Sequence, residues 1–248
     1  MTEKYKFTYF ALWAKGPAPA LALAFSGLDW VGDDAGTGPK CERSKTEWRG
    51  KHKANAAWNL LPNLDVPDSG MKIGHEGAIL NFIGRKSPAM AGETDKDFAA
   101  SQQLFYVGED IYNKLTTLVD TTFEAKGKEK ERESFWGMTN IKTHNSFYGI
   151  RVYLQQLDDF YKQCGQTTET GKFTSTGTTV GECKLFSSLH ACVMIKGEDL
   201  LKDFPGVFSF YRRFLNEKAT QQILIDGGNY PHVFAQYFVE TTSTKASL

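Results

Sequence analysis

The first residues alternate between polar and apolar positions, and helical spacing follows. KYKFTYF (4–10) alternates and is rich in aromatic residues and threonine, which predicts a β-strand. PAPALALAFSGL predicts a helix with Pro17 and Pro19 at its opening and Gly27 at its end. DWVGD is a weak strand signal, GDDAGTGPKCERS (32–44) predicts a loop, and TEWRGKHKANAAW predicts a short polar helix.

Two further strands and a helix complete the first part of the pattern. NLDV and MKIG predict strands joined by the turn residues PDSG. EGAILNFIGRK predicts a helix, because its large apolar residues recur at core spacing. The predicted order is therefore β-α-β-α-β-β-α.

The pattern changes after residue 86 from mixed to helical. Long helical patterns cover DKDFAASQQLFYVGEDIYNKLTTLVDTTF, FYGIRVYLQQLDDFYKQC, TTVGECKLFSSLHACVMI and FPGVFSFYRRFLNE. The third opens with Thr179-x-x-Glu182, a capping box. Strand signals end near Ile73. We predict an α/β domain over residues 1–86 and an all-α domain over residues 92–248.

The amino-acid composition limits the classes of binding partner that we expect for this protein. Hydrophobic residues make up 41% of the 248, which is enough for a sizeable core. The chain has 29 Lys+Arg and 29 Asp+Glu, and this balance gives no support for a nucleic-acid or anionic-membrane partner. The run KGKEKERE (126–133) alternates in sign, as solvated faces do. No window approaches 18 apolar residues, so we expect no membrane span.

The cysteines predict a reducing environment. Cys41, Cys164, Cys183 and Cys192 form no CxxC pair and no metal-ligand spacing, so we expect reduced thiols and no metal site. Cys183 and Cys192 lie in an apolar stretch typical of core packing. The N-terminus lacks the apolar region of a secretory signal, and we expect a cytoplasmic protein.

Five motifs occur in the order and spacing of one family. They are KFTYF in the first strand, LP before the third strand, EGAIL at a helix start, MAGETDKD at the start of the second domain and TTVGE at a helix cap. By these motifs the chain resembles a cytosolic glutathione S-transferase, closest to the sigma-like class that includes haematopoietic prostaglandin D synthase and invertebrate relatives. The resemblance covers nearly the whole chain. It implies a thioredoxin-like N-terminal domain, an all-α C-terminal domain, glutathione as co-substrate and a homodimer.

The resemblance places Tyr9 at the family's catalytic tyrosine. A free thiol has a pKa near ~8.5 and only its thiolate is a good nucleophile, so a hydroxyl that donates to sulfur activates it. The alternative is that Tyr9 is an ordinary strand aromatic, for which Tyr5 would serve equally well.

The resemblance also implies residues that bind the glutathione backbone. Pro62 matches a cis-proline that lets Leu61 pair with the cysteinyl segment, although a trans proline at a strand start is the commoner state. Glu76 and Gly77 match the positions that hold the γ-glutamyl end at a helix N-terminus. The family usually has Ser where this chain has Gly77, so one hydroxyl donor is lost. The alternative is an ordinary helix start.

Other matches are less direct. Trp48 and Lys53 fall near the residues that reach the glycyl carboxylate, and Arg49 competes with Trp48. Lys15 lies where the family often has Arg, and lysine cannot make the bidentate fork of arginine. Pro17 replaces an acidic residue.

The second domain contributes expectations of its own. Asp110 matches an acid that reaches across the dimer to the γ-glutamyl ammonium group, with Glu109 as substitute and a solvated acid as the alternative. Walls of the acceptor pocket would be Leu12, Trp13, Phe105 and Tyr112, and the long segment 124–145 would cover or reshape it.

Two functions compete at this point. The first is glutathione conjugation to small-molecule electrophiles, as in detoxification, or related isomerase or peroxidase chemistry. The second is a non-catalytic structural or assembly subunit with the same fold. The presence of Tyr9 favours the enzymatic function. The departures from the family pattern at Gly77, Lys15 and Pro17 favour a protein that has lost the activity.

Overall fold

A four-stranded sheet with helices on it forms the first part of the molecule. The computed structural model describes residues 4–36, 44–137, 149–165 and 169–240. The first elements are β1 (Tyr5–Tyr9), α1 (Pro17–Ser26), β2 (Trp30–Asp34), β3 (Asn63–Asp65), β4 (Lys72–Gly74) and α2 (Glu76–Lys86). The strand order is β2-β1-β3-β4, with β1 parallel to β2, and β3 antiparallel to both β1 and β4.

The sequence explains where these elements begin and end. Pro17 opens α1, and Gly27 ends it in the left-handed conformation at φ 74°. Phe7 is fully buried on β1, opposite Leu64 of β3. The predicted short polar helix is instead a wide turn of π-helix, Ser44–His52, followed by the 3₁₀ turns Lys53–Asn55 and Ala57–Asn59. The Leu61–Pro62 peptide that follows is cis.

Helices dominate the second part. They are α3 (Pro88–Ala91), α4 (Asp95–Leu118), α5 (Glu129–Gly137), α6 (Ile150–Gln163), α7 (Val180–Lys196), α8 (Pro205–Asn216) and α9 (Lys218–Ile225). The predicted capping box is present, since Thr179 and Glu182 bond reciprocally at the start of α7. Two short strands that the pattern did not predict, β5 (Asp120–Thr121) and β6 (Phe238–Val239), pair antiparallel. These features confirm the predicted fold class.

Helices α4 and α7 pack in close contact at two glycines. A Cβ at Gly181 would lie 1.8 Å from the Ser101 carbonyl oxygen, and the Gly181 N–H donates to Ser101 Oγ at 3.1 Å. Gly108 of α4 likewise lies against Lys184 and Leu185 of α7. This contact places the first two turns of α7 beside the N-terminus of α2, where Lys184 meets Glu76.

Cys164, Cys183 and Cys192 are free thiols buried in the core, as predicted for the last two, and Cys41 lies outside the described residues. Burial raises the pKa of the Cys183 and Cys192 thiols, which keeps both protonated.

Within the described ranges, none of the helices combines the length and the apolar character needed to cross a bilayer.

Candidate active site

A cavity of about 280 Å³ lies where the N-terminus of α2 faces α4. Its size is close to the lower end of small-molecule sites, which begin at roughly 300 Å³. The lining combines the turn after β1, the cis-proline turn, the start of α2 and one side of α4: Lys15, Leu61, Pro62, His75, Glu76, Gly77, Phe105 and Glu109. Five of the predicted glutathione-binding residues therefore meet in one cavity, namely Lys15, Leu61, Pro62, Glu76 and Gly77.

The N-terminus of α2 opens onto this cavity without a side-chain cap. His75 precedes the helix at φ 65° and its side chain makes no capping hydrogen bond. The first turn of a helix carries N–H groups that have no partner within the helix, together with a partial positive charge. Such an end can bind a carboxylate through backbone groups alone.

Four charged side chains meet beside this helix end: Lys15, Glu76, Glu109 and Lys184, which we call the four-charge cluster. Lys184 Nζ lies 2.7 Å from Glu76 Oε2 and 2.8 Å from Glu109 Oε2. Lys15 Nζ lies 2.6 Å from Glu109 Oε1 and 3.6 Å from Glu76 Oε2. Both ammonium groups also lie over the Tyr112 ring, 4.8 and 4.7 Å from its centre. The cluster therefore pairs two amino groups with two carboxyl groups.

The two carboxylates of the cluster differ in their environment. Burial raises the pKa of Glu76, and the ammonium groups of Lys184 and Lys15 offset only part of this effect. Burial also acts on Glu109, but Lys184 and Lys15 outweigh it and lower the pKa of that carboxyl. Glu109 is therefore ionised at neutral pH, whereas Glu76 depends on its lysine partners.

Tyr9 lies at the end of β1, beside the cavity rather than on its wall. Its hydroxyl accepts a hydrogen bond from the Lys15 backbone N–H at 3.0 Å, so the turn that carries Lys15 connects Tyr9 to the cluster. Burial raises the pKa of Tyr9 above its usual range, so the hydroxyl keeps its proton and can donate it in a hydrogen bond. The Tyr9 ring packs on Gly16, where a Cβ would lie 2.1 Å from Cδ1.

The last described residues cover Tyr9. Residues 227–240, the covering segment, follow α9 and run across the loop after β1. The Trp13 backbone N–H donates to the Ala235 carbonyl at 2.7 Å, and the Tyr230 hydroxyl donates to the Tyr9 carbonyl at 2.6 Å. Tyr9 itself is only 7% exposed, with Phe7, Phe10 and Gly16 against its ring.

The expected acceptor pocket is not open among the residues that the structure describes. Leu12, Trp13 and Tyr112 are buried in the core, and only Phe105 of the four expected walls borders the cavity. The segment predicted to reshape the pocket, 124–145, contains α5 and continues into residues 138–148, outside the described residues.

Three predicted binding residues lie away from the cavity. Trp48 is buried beside a separate hollow that also involves Lys6 and Asp65, and Lys53 is exposed in a 3₁₀ turn. Asp110 is exposed on α4, whereas the adjacent Glu109 lines the cavity. The binding roles of Trp48, Lys53 and Asp110 stay predictions, and Asp110 is accessible to a second subunit.

Sequence reasoning missed Lys184 altogether. The available signal was a lysine within the largely apolar helix KLFSSLHACVMI, where an unpaired charge would be costly. Among the described residues, no group of three or more His, Cys, Asp or Glu side chains forms a metal site.

Comparison with solved structures gives consistent similarities. A Pi-class glutathione S-transferase of Onchocerca volvulus matches with a TM-score of 0.66 and 18% identity, covering 89% of this chain and 91% of that one. Prostaglandin synthase D of Nilaparvata lugens matches with a TM-score of 0.65 and 17% identity, over 89% and 96%. A glutathione S-transferase of Ascaris lumbricoides matches with a TM-score of 0.65 and 17% identity, over 93% and 100%.

No family model and no curated protein matches the sequence. The structural matches extend over both parts of the chain and include proteins of different classes, so they do not single out the sigma-like class.

Proposed function

We propose that this chain, which has the fold of the glutathione S-transferases, binds glutathione in the cavity at the N-terminus of α2 and activates its thiol for transfer to an electrophile. The observation that carries the proposal is the meeting of the cis-proline turn, an uncapped helix N-terminus and the four-charge cluster in one cavity beside Tyr9.

The γ-glutamyl and cysteinyl parts of glutathione find matching groups in this arrangement. The γ-glutamyl carboxylate binds the N–H groups at the start of α2, and the ammonium group faces Glu76 and Glu109. The backbone of Leu61 pairs with the cysteinyl segment, as an extended peptide pairs with a strand edge. This pose directs the thiol toward the end of β1, where Tyr9 lies.

Tyr9 then acts as a neutral hydrogen-bond donor. Its hydroxyl accepts from the Lys15 N–H, which leaves its own proton for the thiolate sulfur. The thiol proton passes to solvent, and the thiolate attacks the electrophilic carbon. The C–S bond of the thioether forms as the bond to the leaving group breaks and that group departs with its electron pair, while Tyr9 stays protonated. Because Tyr9 is 7% exposed, its surroundings must open for its hydroxyl to meet the thiolate sulfur.

Substitution of Tyr9 tests the chemistry directly. Tyr9→Phe removes the donor and should raise the pKa of the bound thiol by about 1 to 2, which corresponds to roughly 1.4–2.7 kcal/mol. Thiolate absorbance as a function of pH measures this value, and turnover of an aromatic electrophile should fall in parallel. Tyr5→Phe, on the same strand and packed against Phe82, is the matched control.

The outcomes separate binding from catalysis. An unchanged thiol titration in Tyr9→Phe would contradict the assignment of Tyr9. Calorimetric binding of glutathione without turnover in the unmodified protein would favour the non-catalytic function, and absence of binding would contradict the whole proposal.

A further inference from the structure

Lys184 is a fully buried lysine at the back of the cavity. It lies on α7 with a side chain that is 1% exposed, and its stem passes α4 at Gly108, where a Cβ would lie 3.1 Å from Lys184 Cγ. An ammonium group in such a position is costly to bury unless charged groups pair with it. Glu76 and Glu109 supply that pairing.

The pairing leaves one oxygen of Glu76 unsatisfied. Lys184 and Lys15 both approach Oε2, whereas Oε1 is buried and has no hydrogen-bond partner within the described part of the chain. A buried acceptor without a donor costs free energy, so the arrangement is incomplete as a purely structural ion pair. Glu76 lines the cavity, where a ligand ammonium group can supply the missing donor.

We propose that Lys184 is a positioning residue, which holds the Glu76 carboxylate ionised and leaves its Oε1 available to the ligand. The site thereby selects γ-glutamyl thiols that have a free α-ammonium group. This inference rests on the proposed function and adds to it the basis of ligand selection. A neutral amide at position 76 would attract the ammonium only as a dipole, whereas an ionised carboxylate attracts it by charge.

Loss of the Lys184 charge should change the protonation of Glu76. Burial alone raises the pKa of this carboxyl, so without Lys184 it takes up a proton in the empty site. Binding of an ammonium group then requires release of that proton, and affinity rises with pH. Among the described residues, Lys15, Glu109, Tyr9 and Tyr112 also interact with Glu76, and His75 lines the same cavity.

Glu109 needs its own control among these groups. Burial raises the pKa of the two tyrosines, so both keep their protons at the working pH, but Glu109 is a carboxyl that also loses a partner when Lys184 is changed. Glu109→Gln removes its titration, so the pH dependence should persist in Lys184→Met/Glu109→Gln and disappear in Lys184→Met/Glu76→Gln.

The experiment is calorimetry with glutathione and with N-acetylglutathione, whose ammonium is blocked, between about pH 6 and about pH 8. The unmodified protein should prefer glutathione by about ten- to a hundred-fold, the range expected for a hydrogen bond between charged groups. Lys184→Met should reduce this preference several-fold and make glutathione affinity rise with pH. Lys196→Met is the matched control, because Lys196 lies on the same helix and pairs with Glu240 away from the cavity.

Several results would overturn the inference. If the unmodified protein binds both thiols with equal affinity, the inference is contradicted but the proposed function stands. If it binds neither thiol, the inference and the proposed function are both contradicted. Full preference retained in a folded Lys184→Met also contradicts it. If Lys184→Met does not fold, Lys184→Met/Glu76→Gln removes both charges. Its preference for glutathione should be reduced several-fold and should not change with pH, and a fully preserved preference there overturns the inference.

Discussion

Gly77 lies in the first turn of α2, next to the ring of Phe105. A Cβ at this position would be 2.9 Å from Phe105 Cζ, the far end of a half-buried ring that borders the cavity. The glutathione S-transferases that this sequence resembles usually have a serine here, whose hydroxyl is a hydrogen-bond donor. A serine side chain would fit at this position only if the Phe105 ring moved into the space that the ligand needs.

We expect Gly77→Ser alone to weaken glutathione binding, because it pushes Phe105 into the cavity. In the background of Phe105→Ala, the same substitution should tighten binding several-fold, since a hydrogen bond to a carboxylate contributes roughly 1.5–3 kcal/mol and water replaces part of it. Calorimetry on Phe105→Ala with and without Gly77→Ser measures the difference. Equal affinities in this pair would mean that the start of α2 does not hold the carboxylate.

At the scale of elements, Asp97 connects the start of α4 to the loop before α7. Its carboxylate accepts from the Ser175 N–H at 2.9 Å and the Ser175 hydroxyl at 2.8 Å, while Thr94 caps the helix through the Asp97 N–H at 3.1 Å. Burial would raise the pKa of Asp97, but hydrogen bonds from Ser175 and Thr94 outweigh it and lower this pKa below its usual range.

A lowered carboxyl pKa in the folded state gives stability that is present above the unfolded pKa of about 3.8 and is lost as pH falls through the folded value. Asp97→Asn should therefore lower the free energy of unfolding by about 1–3 kcal/mol at neutral pH. It should also flatten the loss of stability below about pH 4. Urea unfolding at several pH values measures both, with the exposed Asp95→Asn of the same turn as control. Similar pH profiles for Asp97→Asn and the unmodified protein would refute this account.

Elements differ in how far local sequence determines them. Thr179 and Glu182 are three residues apart, so their capping box was predictable and is present. The pairing of β5 with β6 joins Thr121 to Phe238, and two-residue strands carry no alternation that a pattern could detect. Lys184 and Glu76 are 108 residues apart, so neither local sequence indicates that the two charges meet.

Several large apolar side chains are exposed on the surface of the molecule, where a second copy of the chain can pack against them. Among the described residues, Trp58 is 77% exposed before β3, and Tyr106 and Phe98 of α4 are 65% and 50% exposed. We propose a two-fold homodimer, in which Asp110 of one subunit serves the site of its neighbour.

Sedimentation at micromolar concentration should give twice the chain mass of 27.8 kDa. Trp58→Ala should shift the equilibrium toward monomer, because burial of a large aromatic side chain at an interface is lost. Val233→Ala, another exposed apolar residue, is the control. A monomer that still binds glutathione would remove Asp110 from the site.

The covering segment also constrains the order of events during synthesis. Tyr230 and Tyr9 are 221 residues apart, and at about 5–20 residues per second the ribosome needs roughly 10 to 40 s to make the chain between them. Phe7 and Trp13 lack their contacts with Tyr230 and Phe234 for that whole interval. The sheet that carries Tyr9 therefore lacks these aromatic contacts throughout that interval, and during it the uncovered side chains are open to aggregation and to chaperone binding.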